Sequence, residues 1–167
     1  VSGFSGVGKS ALISEMFKPV PARRGYFVSG KFDQYQRNIP YSAIIGALSG
    51  FCEQLLTEQE EALAAWRTSI LEAVGANGVV LTELIPALTY IIGDQQDVAR
   101  LESQEALNRF NLVFQNFIRC VARPEHPFVV FCDDLQWADS ASLQLLRSLV
   151  TNDANPYLLV IGAYRNN

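Results

Sequence analysis

The segment Gly3-Phe4-Ser5-Gly6-Val7-Gly8-Lys9-Ser10 matches the pattern G-x-x-x-x-G-K-[ST] at every fixed position. Glycines at these positions let the backbone curl, so that successive N–H groups point inward at phosphate oxygens. Lys9 supplies a mobile positive charge for the β- and γ-phosphates, and the Ser10 hydroxyl is placed to ligate Mg²⁺. The alternative is a glycine-rich turn without a ligand. We predict a triphosphate-binding loop that comprises Gly3, Phe4, Ser5, Gly6, Val7, Gly8, Lys9, Ser10 and Ala11.

A second group of candidate residues follows the apolar run 128–132. A run without alternation is typical of a strand that is buried on both faces of a parallel sheet. The next two residues, Asp133 and Asp134, are costly there unless positive charge meets them. Because open α/β sheets bind ligands at the carboxyl ends of their strands, we expect Asp133 and Ser10 to share one Mg²⁺. Asp134 would then orient or deprotonate the attacking water. The alternative is that the two acids only begin a loop.

Three further residues near these motifs have two interpretations each. Trp137 is expected to pack under the site, with adenine or partner contact as the alternative. The run 158–163 predicts a strand whose polar tip holds Arg165 and Asn166. Either residue could lie near the γ-phosphate, or the tip could be a solvated strand end. The residues alone leave these alternatives open.

The remaining pattern predicts an α/β fold with a parallel sheet, because strands alternate with helices. We expect strands before Gly3 and over 25–32, 128–132 and 157–163, the last one buried. Helices are expected over 10–17, 44–55 and 107–121. A Thr57/Glu60 capping box should start another helix that ends at Gly75, and two short helices are expected within 79–92, with Pro86 in the first turn of the second. A last helix should follow an Asp139 cap. This last helix is expected to bury Leu143, Leu146 and Leu149. The segment 93–102 is expected to be a polar connector.

Composition excludes several classes of protein. The chain has 167 residues, which suits one domain, and its net charge of -4 gives no general attraction to nucleic acid or anionic membrane. Its apolar runs are shorter than the roughly 18 residues of a membrane span. Cys52, Cys120 and Cys132 lie in apolar patterns, which favours buried, reduced thiols and a cytoplasmic location. The one histidine, His126, is expected in a surface turn, so neither a metal cluster nor a Ser-His-Asp triad is predicted.

Taken together, these motifs resemble the STAND branch of the AAA-like P-loop ATPases. The glycine loop matches Walker A, and the segment 133–139 is very similar to that branch's D-D-L-x-W-A-D signature after the Walker B strand. The segments 30–34 and 39–43 look like the ATPase part of large bacterial signalling proteins, which join it to a Ser/Thr kinase or a hybrid sensor histidine kinase. The resemblance covers nearly the whole chain.

The resemblance implies a P-loop NTPase three-layer sandwich with a parallel sheet and a long helical insertion between the second strand and the Walker B strand. The Walker A strand would neighbour the strand ending at Arg165, with the Walker B strand on the other side of the latter. Arg165 then matches the sensor position for the γ-phosphate and joins Asp134 as a catalytic residue. Residues 1–167 would form one ATPase domain, incomplete at both ends.

The function implied is Mg-ATP binding and slow hydrolysis, which act as a nucleotide-controlled switch within a larger signal-transduction protein. Asp134 stands where many AAA proteins have a longer Glu, which argues against fast hydrolysis. Expected partners are ATP, other domains of the same polypeptide such as a protein kinase or histidine kinase, and further copies of the chain in a nucleotide-dependent homo-oligomer. Arg109 would be a finger for a neighbouring subunit or, alternatively, part of an intramolecular pair.

Three rival functions remain. A GTPase would need an N-K-x-D-like guanine reader, which does not occur in the sequence. A small-molecule kinase would need an arginine-rich lid and an acceptor pocket, and neither is apparent. A regulatory scaffold that binds ATP without hydrolysing it is the main alternative.

Overall fold

The computed structural model describes residues 1–4, 6–20, 24–151 and 155–165. The chain divides into two compact units. The first comprises Val1–Leu48 and Ala122–Asn167, and the second comprises Ser49–Val121.

The strands of the first unit pair in parallel, as the alternation of strands and helices predicts. They are β1 (Ser2–Gly3), β2 (Tyr26–Lys31), β3 (Phe128–Asp133), β4 (Leu158–Gly162) and β5 (Tyr164–Arg165). One sheet has the order β2-β3-β4, and β1 pairs with β5 in a second sheet. The chain changes neighbour after β4, because the Ala163 amide donates to Cys132 and the Tyr164 amide donates to Val1. The expected neighbours of the strand that ends at Arg165 are therefore confirmed.

Burial follows this pairing order. The first five residues of β3 are buried, since β3 has a partner strand on each side. The prediction that the last strand is buried is wrong, because Leu159 in β4 is 47% exposed. Over its described length β4 pairs with β3 alone within its sheet, so its other edge is less covered.

The first unit also contains α1 (Lys9–Phe17) and α7 (Ser140–Val150), while α2 (Ser42–Leu56) begins in it. The predicted Asp139 cap of α7 is confirmed, because its carboxylate accepts from the Ser142 amide at 2.8 Å. The predicted burial of Leu143 is wrong, since this side chain is 47% exposed. The buried face follows the spacing i, i+3, i+4 and i+7 and consists of Ser142, Leu145, Leu146 and Leu149.

The second unit is helical in its described elements. It contains α3 (Glu60–Val74), α4 (Gly78–Leu84), α5 (Thr89–Ile92) and α6 (Ser103–Val121). Pro86 opens a short 3-10 turn that leads into α5, and Gly75 ends α3 as expected. The buried side chains of α6 lie toward its C-terminal half and comprise Val113, Phe114, Phe117, Ile118, Cys120 and Val121. No regular element covers 93–102, in agreement with the predicted connector.

The predicted capping box at Thr57 is wrong. The Thr57 hydroxyl donates to the Gln54 carbonyl at 2.7 Å and so satisfies the last turn of α2. Gln59 occupies the N-cap of α3 instead, without a side-chain capping bond. The T-x-x-E pattern therefore marks the end of one helix and not the cap of the next.

The three cysteines are buried and none forms a disulfide within the described residues, as expected. Burial raises the pKa of the Cys132 thiol to about 12, so it remains protonated at neutral pH. Within the described residues, no helix combines the length and the apolarity that a membrane crossing requires.

A close backbone contact between β2 and the start of α2 generates the first prediction. A Cβ added at Gly30 would lie 1.9 Å from the Ala43 carbonyl oxygen. We expect Gly30→Ala to lower the free energy of unfolding by about 1–3 kcal/mol, because the helix backbone must shift. Gly46→Ala is the matched control, since nothing lies within 4 Å of the added carbon. Denaturant unfolding of both variants tests this, and equal stabilities would contradict the steric argument.

Candidate functional site

The glycine loop joins β1 to α1 through residues that favour left-handed backbone. Gly6 has a φ of 78° and Gly8 a φ of 83°, conformations that side chains disfavour. Gly8 caps α1, which begins at Lys9. The amino end of α1 and its unpaired N–H groups therefore face the loop, the arrangement that attracts anions. Ser5, one of the predicted loop residues, lies outside the described residues.

Two of the predicted site residues are in direct contact. The Ser10 hydroxyl donates to Asp133 Oδ2 at 2.6 Å, across 123 residues of sequence. The other carboxylate oxygen, Oδ1, accepts from the Asp134 amide at 2.9 Å. The structure thus brings the predicted metal-binding pair together, and it orients Asp133 from both sides.

Lys9 lies over its own loop. Its ammonium donates to the Gly3 carbonyl at 2.9 Å and to the Phe4 carbonyl at 2.8 Å. The Phe4 and Val7 side chains are 73% and 61% exposed, so they point away from a packed core. The loop thus holds the Lys9 ammonium through the backbone carbonyls of Gly3 and Phe4.

Asp134 is the most enclosed charged group of the site. It is 7% exposed and has a left-handed backbone with a φ of 54°, which is uncommon outside glycine. Arg165 Nε lies 3.1 Å from Oδ1, and Lys31 Nζ lies 3.5 Å from Oδ2. The side-chain amide Nε2 of Gln136 donates to Asp134 Oδ1 at 2.9 Å. Asp134 and Arg165, which were each predicted as catalytic residues, are therefore in contact.

These donors decide the charge state of Asp134. Burial by itself would raise the pKa of this carboxyl. The hydrogen bonds from Gln136 and Arg165, together with the charges of Arg165 and Lys31, outweigh burial and hold the pKa below its usual value. Asp134 is therefore a carboxylate at neutral pH.

Two residues of this group were missed in the sequence. Gln136 links Asp134 to β5, because its side-chain oxygen accepts from the Arg165 amide at 3.1 Å. Lys31 ends β2 directly opposite Asp133 in the strand register. Only the positions of these two residues in the sequence could have indicated them, since Lys31 lies at the end of a strand and Gln136 belongs to the segment 133–139.

Trp137 lies in the short 3-10 turn after β3. The Arg37 guanidinium carbon is 5.0 Å from the centre of the Trp137 ring, within the range of a cation–π contact. Arg37 also donates to the Gln136 carbonyl at 3.1 Å. The indole therefore helps to hold the turn that carries Gln136.

The glycine loop and the charged residues at the ends of β2, β3 and β5 line one open cavity of about 260 Å³. Its described lining consists of Gly6, Gly8, Lys9, Ser10, Ala11, Lys31, Asp133, Asp134 and Arg165. Arg109 belongs to the second unit, where it donates to the Ala99 carbonyl at 2.9 Å. Asn166 lies outside the described residues.

The residues that meet at Ser10 fit a magnesium ion shared with phosphate. A hydroxyl and a carboxylate are hard oxygen ligands, which Mg²⁺ prefers, and Mg²⁺ is usually bound by one or two carboxylates plus substrate phosphates. Within the described parts of the chain, no cluster of three or more His, Cys, Asp or Glu side chains could hold a metal ion. A Mg²⁺ ion held by Ser10 and Asp133 would take its other ligands from water and phosphate oxygens.

Comparison with known proteins identifies an ATPase family, in agreement with the triphosphate-binding loop predicted from the sequence. The family model described as "AAA ATPase domain" matches residues 1–161. No solved structure matches significantly.

The curated relatives are histidine kinases. A hybrid signal transduction histidine kinase G of Dictyostelium discoideum is 40% identical over 153 residues, covering 92% of this chain and 4% of the relative. A peroxide stress-activated histidine kinase of Schizosaccharomyces pombe is 25% identical over 181 residues, with 97% and 8% covered. Histidine protein kinase 1 of Candida albicans is 22% identical over 171 residues, with 93% and 7% covered. The chain thus spans less than a tenth of each of these relatives.

The lowered pKa of Asp134 predicts an acid-sensitive contribution to stability. Since the folded-state pKa lies below the unfolded value, the contribution is present above the unfolded pKa and is lost as pH falls through the folded pKa. The difference in unfolding free energy between the unmodified chain and Asp134→Asn should shrink as pH falls below the usual Asp pKa of about 3.9 and through the lower folded-state pKa. Urea unfolding at several pH values measures it.

Asp94→Asn, an exposed carboxylate on the connector, controls for the change of one net charge. A difference between the unmodified chain and Asp134→Asn that stays constant with pH would show that the donors around Asp134 do not stabilise its ionised form.

Proposed function

Because the chain belongs to the AAA ATPase domain family, we propose that it binds Mg-ATP and hydrolyses it slowly, as a nucleotide-controlled switch. The observation that carries the proposal is the 2.6 Å contact between Ser10 and Asp133 at the mouth of the glycine loop. That contact joins the two side chains suited to one Mg²⁺ beside a loop suited to phosphate.

In this proposal the first residues of α1 and the preceding loop hold the phosphates. The amides around Gly6 and Gly8, the amino end of α1 and the Lys9 ammonium supply donors and positive charge. The cavity of about 260 Å³ is smaller than the roughly 300–1,000 Å³ of complete small-molecule pockets. Its size suits the polyphosphate, and the adenine would be bound by other residues.

Ser10 and Asp133 would hold the Mg²⁺ ion of the nucleotide. When bound, the ion would neutralise negative charge on the phosphate oxygens. Ser10 would ligate the ion directly. Asp133 would act directly or through water, oriented by the Asp134 amide.

Asp134 would orient or deprotonate the attacking water, and Arg165 would contact the γ-phosphate. In the structure these two groups neutralise each other. Arg165 must leave part of this pairing to contact phosphate, and Asp134 must accept from water in exchange. Positioning dominates phosphoryl transfer, so a carboxylate already held by several donors, on a side chain shorter than Glu, favours slow turnover.

The second candidate is a regulatory scaffold that binds ATP without hydrolysing it. The donors around Asp134 favour it. Gln136, Arg165 and Lys31 all contact this carboxylate, which leaves it little capacity to accept a hydrogen bond from water. The two candidates differ only in whether this carboxylate is released after ATP binds.

We also propose the biological setting. The curated relatives named above are histidine kinases of much greater length. Residues 1–167 would form one P-loop domain of three-layer type, with the helices between β2 and β3 as an insertion. The domain would work in the cytoplasm within a signalling polypeptide that carries a kinase, with nucleotide-dependent self-association. Three buried cysteines that form no disulfide within the described residues support a reducing compartment.

Mg-ATP should raise the melting temperature of the full-length protein through Lys9 and Asp133. At about 100 times its dissociation constant, a ligand stabilises the folded state by about 2.7 kcal/mol. We expect Lys9→Ala to abolish this shift with and without Mg²⁺. Asp133→Ala should remove mainly the additional shift that Mg²⁺ gives. Thermal unfolding with ATP, in the presence of Mg²⁺ or EDTA, measures both effects.

Lys18→Ala is the matched lysine control, because Lys18 lies beyond α1 in an exposed pair with Glu15. A shift unchanged by Lys9→Ala would reject the glycine loop as the phosphate site. Equal losses for Asp133→Ala with Mg²⁺ and with EDTA would show that Asp133 does not serve the ion.

Hydrolysis should be slow and should depend on Asp134. We expect turnover below the roughly 1–100 s⁻¹ of kinases, and Asp134→Asn should keep ATP binding but lose phosphate release. Asp139→Asn is the control, because Asn also caps helices and this cap is outside the cavity. Phosphate release by Asp134→Asn at the rate of the unmodified protein would reject the catalytic role. Unmodified protein that binds ATP but releases no phosphate would favour the scaffold.

A further inference from the structure

Lys31 is the cationic residue of the described cavity lining that belongs neither to the glycine loop nor to β5. It ends β2, and the parallel register places it opposite Asp133, the proposed ligand of Mg²⁺. Its ammonium lies 3.5 Å from Asp134 Oδ2, and it lines the same cavity as Lys9 and Ser10. Three chain segments distant in sequence thus bring their cations to one cavity.

Charge in the cavity makes this third cation significant. Among the described lining residues, Lys9, Lys31 and Arg165 stand against Asp133 and Asp134. Without Lys31, the two positive charges of Lys9 and Arg165 would only balance the two negative charges of Asp133 and Asp134. With it, one positive charge is left over for a ligand of opposite sign. A triphosphate carries its largest charge at the terminal phosphate, where a surplus cation is most favourable.

The environment of Lys31 differs from that of Arg165. Arg165 makes two side-chain bonds to Asp134, and its backbone amide is bonded to Gln136. The Lys31 side chain is 68% exposed and has one long ion pair among the described contacts. A lysine ammonium on a flexible stem changes partners readily. If Lys31 leaves Asp134, the carboxylate still keeps the donors from Arg165 and Gln136.

We propose that Lys31 is a γ-phosphate-binding residue, which exchanges the Asp134 carboxylate for the terminal phosphate when a nucleoside triphosphate binds. The inference rests on the proposed function. Asp134 is there the group that holds the attacking water, and attack takes place at the terminal phosphate. A cation 3.5 Å from that carboxylate is therefore close to the terminal phosphate. A diphosphate lacks this group, so Lys31 gives the site a preference for ATP over ADP.

Isothermal titration of the full-length protein with Mg-ATP and Mg-ADP tests the inference. Because Lys31→Gln removes a hydrogen bond between charged groups, it should weaken ATP binding roughly tenfold or more and leave ADP binding nearly unchanged. Lys31→Arg should restore most of the ATP preference. Lys18→Gln, the exposed lysine control, should behave as the unmodified protein.

The Asp134→Asn background separates direct contact from an effect through Asp134. If Lys31 contacts the γ-phosphate, Lys31→Gln should still weaken ATP selectively in that background. A loss that disappears there, or that is equal for ATP and ADP, would overturn the inference and leave Lys31 as a neutralising partner of Asp134. Arg165→Ala provides the reference loss for the proposed sensor.

Failure of the proposed function would look different. An unmodified protein that binds neither nucleotide would reject the ATP site itself, and the Lys31 inference with it. Normal ATP binding together with an unchanged ATP/ADP ratio in Lys31→Gln would reject the Lys31 inference alone.

Discussion

The two carboxylates at the end of β3 impose the constraint on which the rest of the site depends. They follow a buried strand, and acids in such a place are costly unless donors or positive charges meet them. The donors come from the start of α1, the end of β2, the turn after β3 and β5, and they are Ser10, Lys31, Gln136 and Arg165. Each of these elements must therefore have one of its ends at the carboxyl edge of β3. The parallel pairing of β2, β3 and β4, with β5 leading to β1, meets this requirement.

Features with a local cause could be predicted from the sequence. The glycine loop, the helix at Lys9, the buried β3 and the Asp139 cap each depend on residues a few positions apart, and all are present. The same motifs led to the AAA-like resemblance that the family model confirms. Local patterns failed where two interpretations compete. Thr57 satisfies the end of one helix where a cap for the next was expected. In α7, Leu146 and Leu149 are buried as predicted, but Leu143 is exposed and Leu145 is buried instead.

The partners of Asp134 could not be predicted from the sequence because they depend on distant geometry. Lys31 reaches the site through the register of β2 against β3, and a register shift of one residue would turn its side chain to the other face. Gln136 reaches Asp134 because the left-handed backbone of Asp134 turns the chain sharply after β3. Neither register nor backbone angle has a signal in residue types alone, whereas the pairing of Ser10 with Asp133 follows from two recognisable motifs.

Unequal exposure within the charged group indicates which parts can move. The Asp134 side chain is 10% exposed, against 40% for Arg165 and 68% for Lys31. Its position is also set by backbone, since its amide is bonded to Asp133 and its φ is left-handed. A buried anion with exposed cations around it can exchange partners only by movement of the cations. A ligand that competes with Asp134 for them would therefore act first on β2 and β5, and through Gln136 on the turn that Arg37 and Trp137 hold.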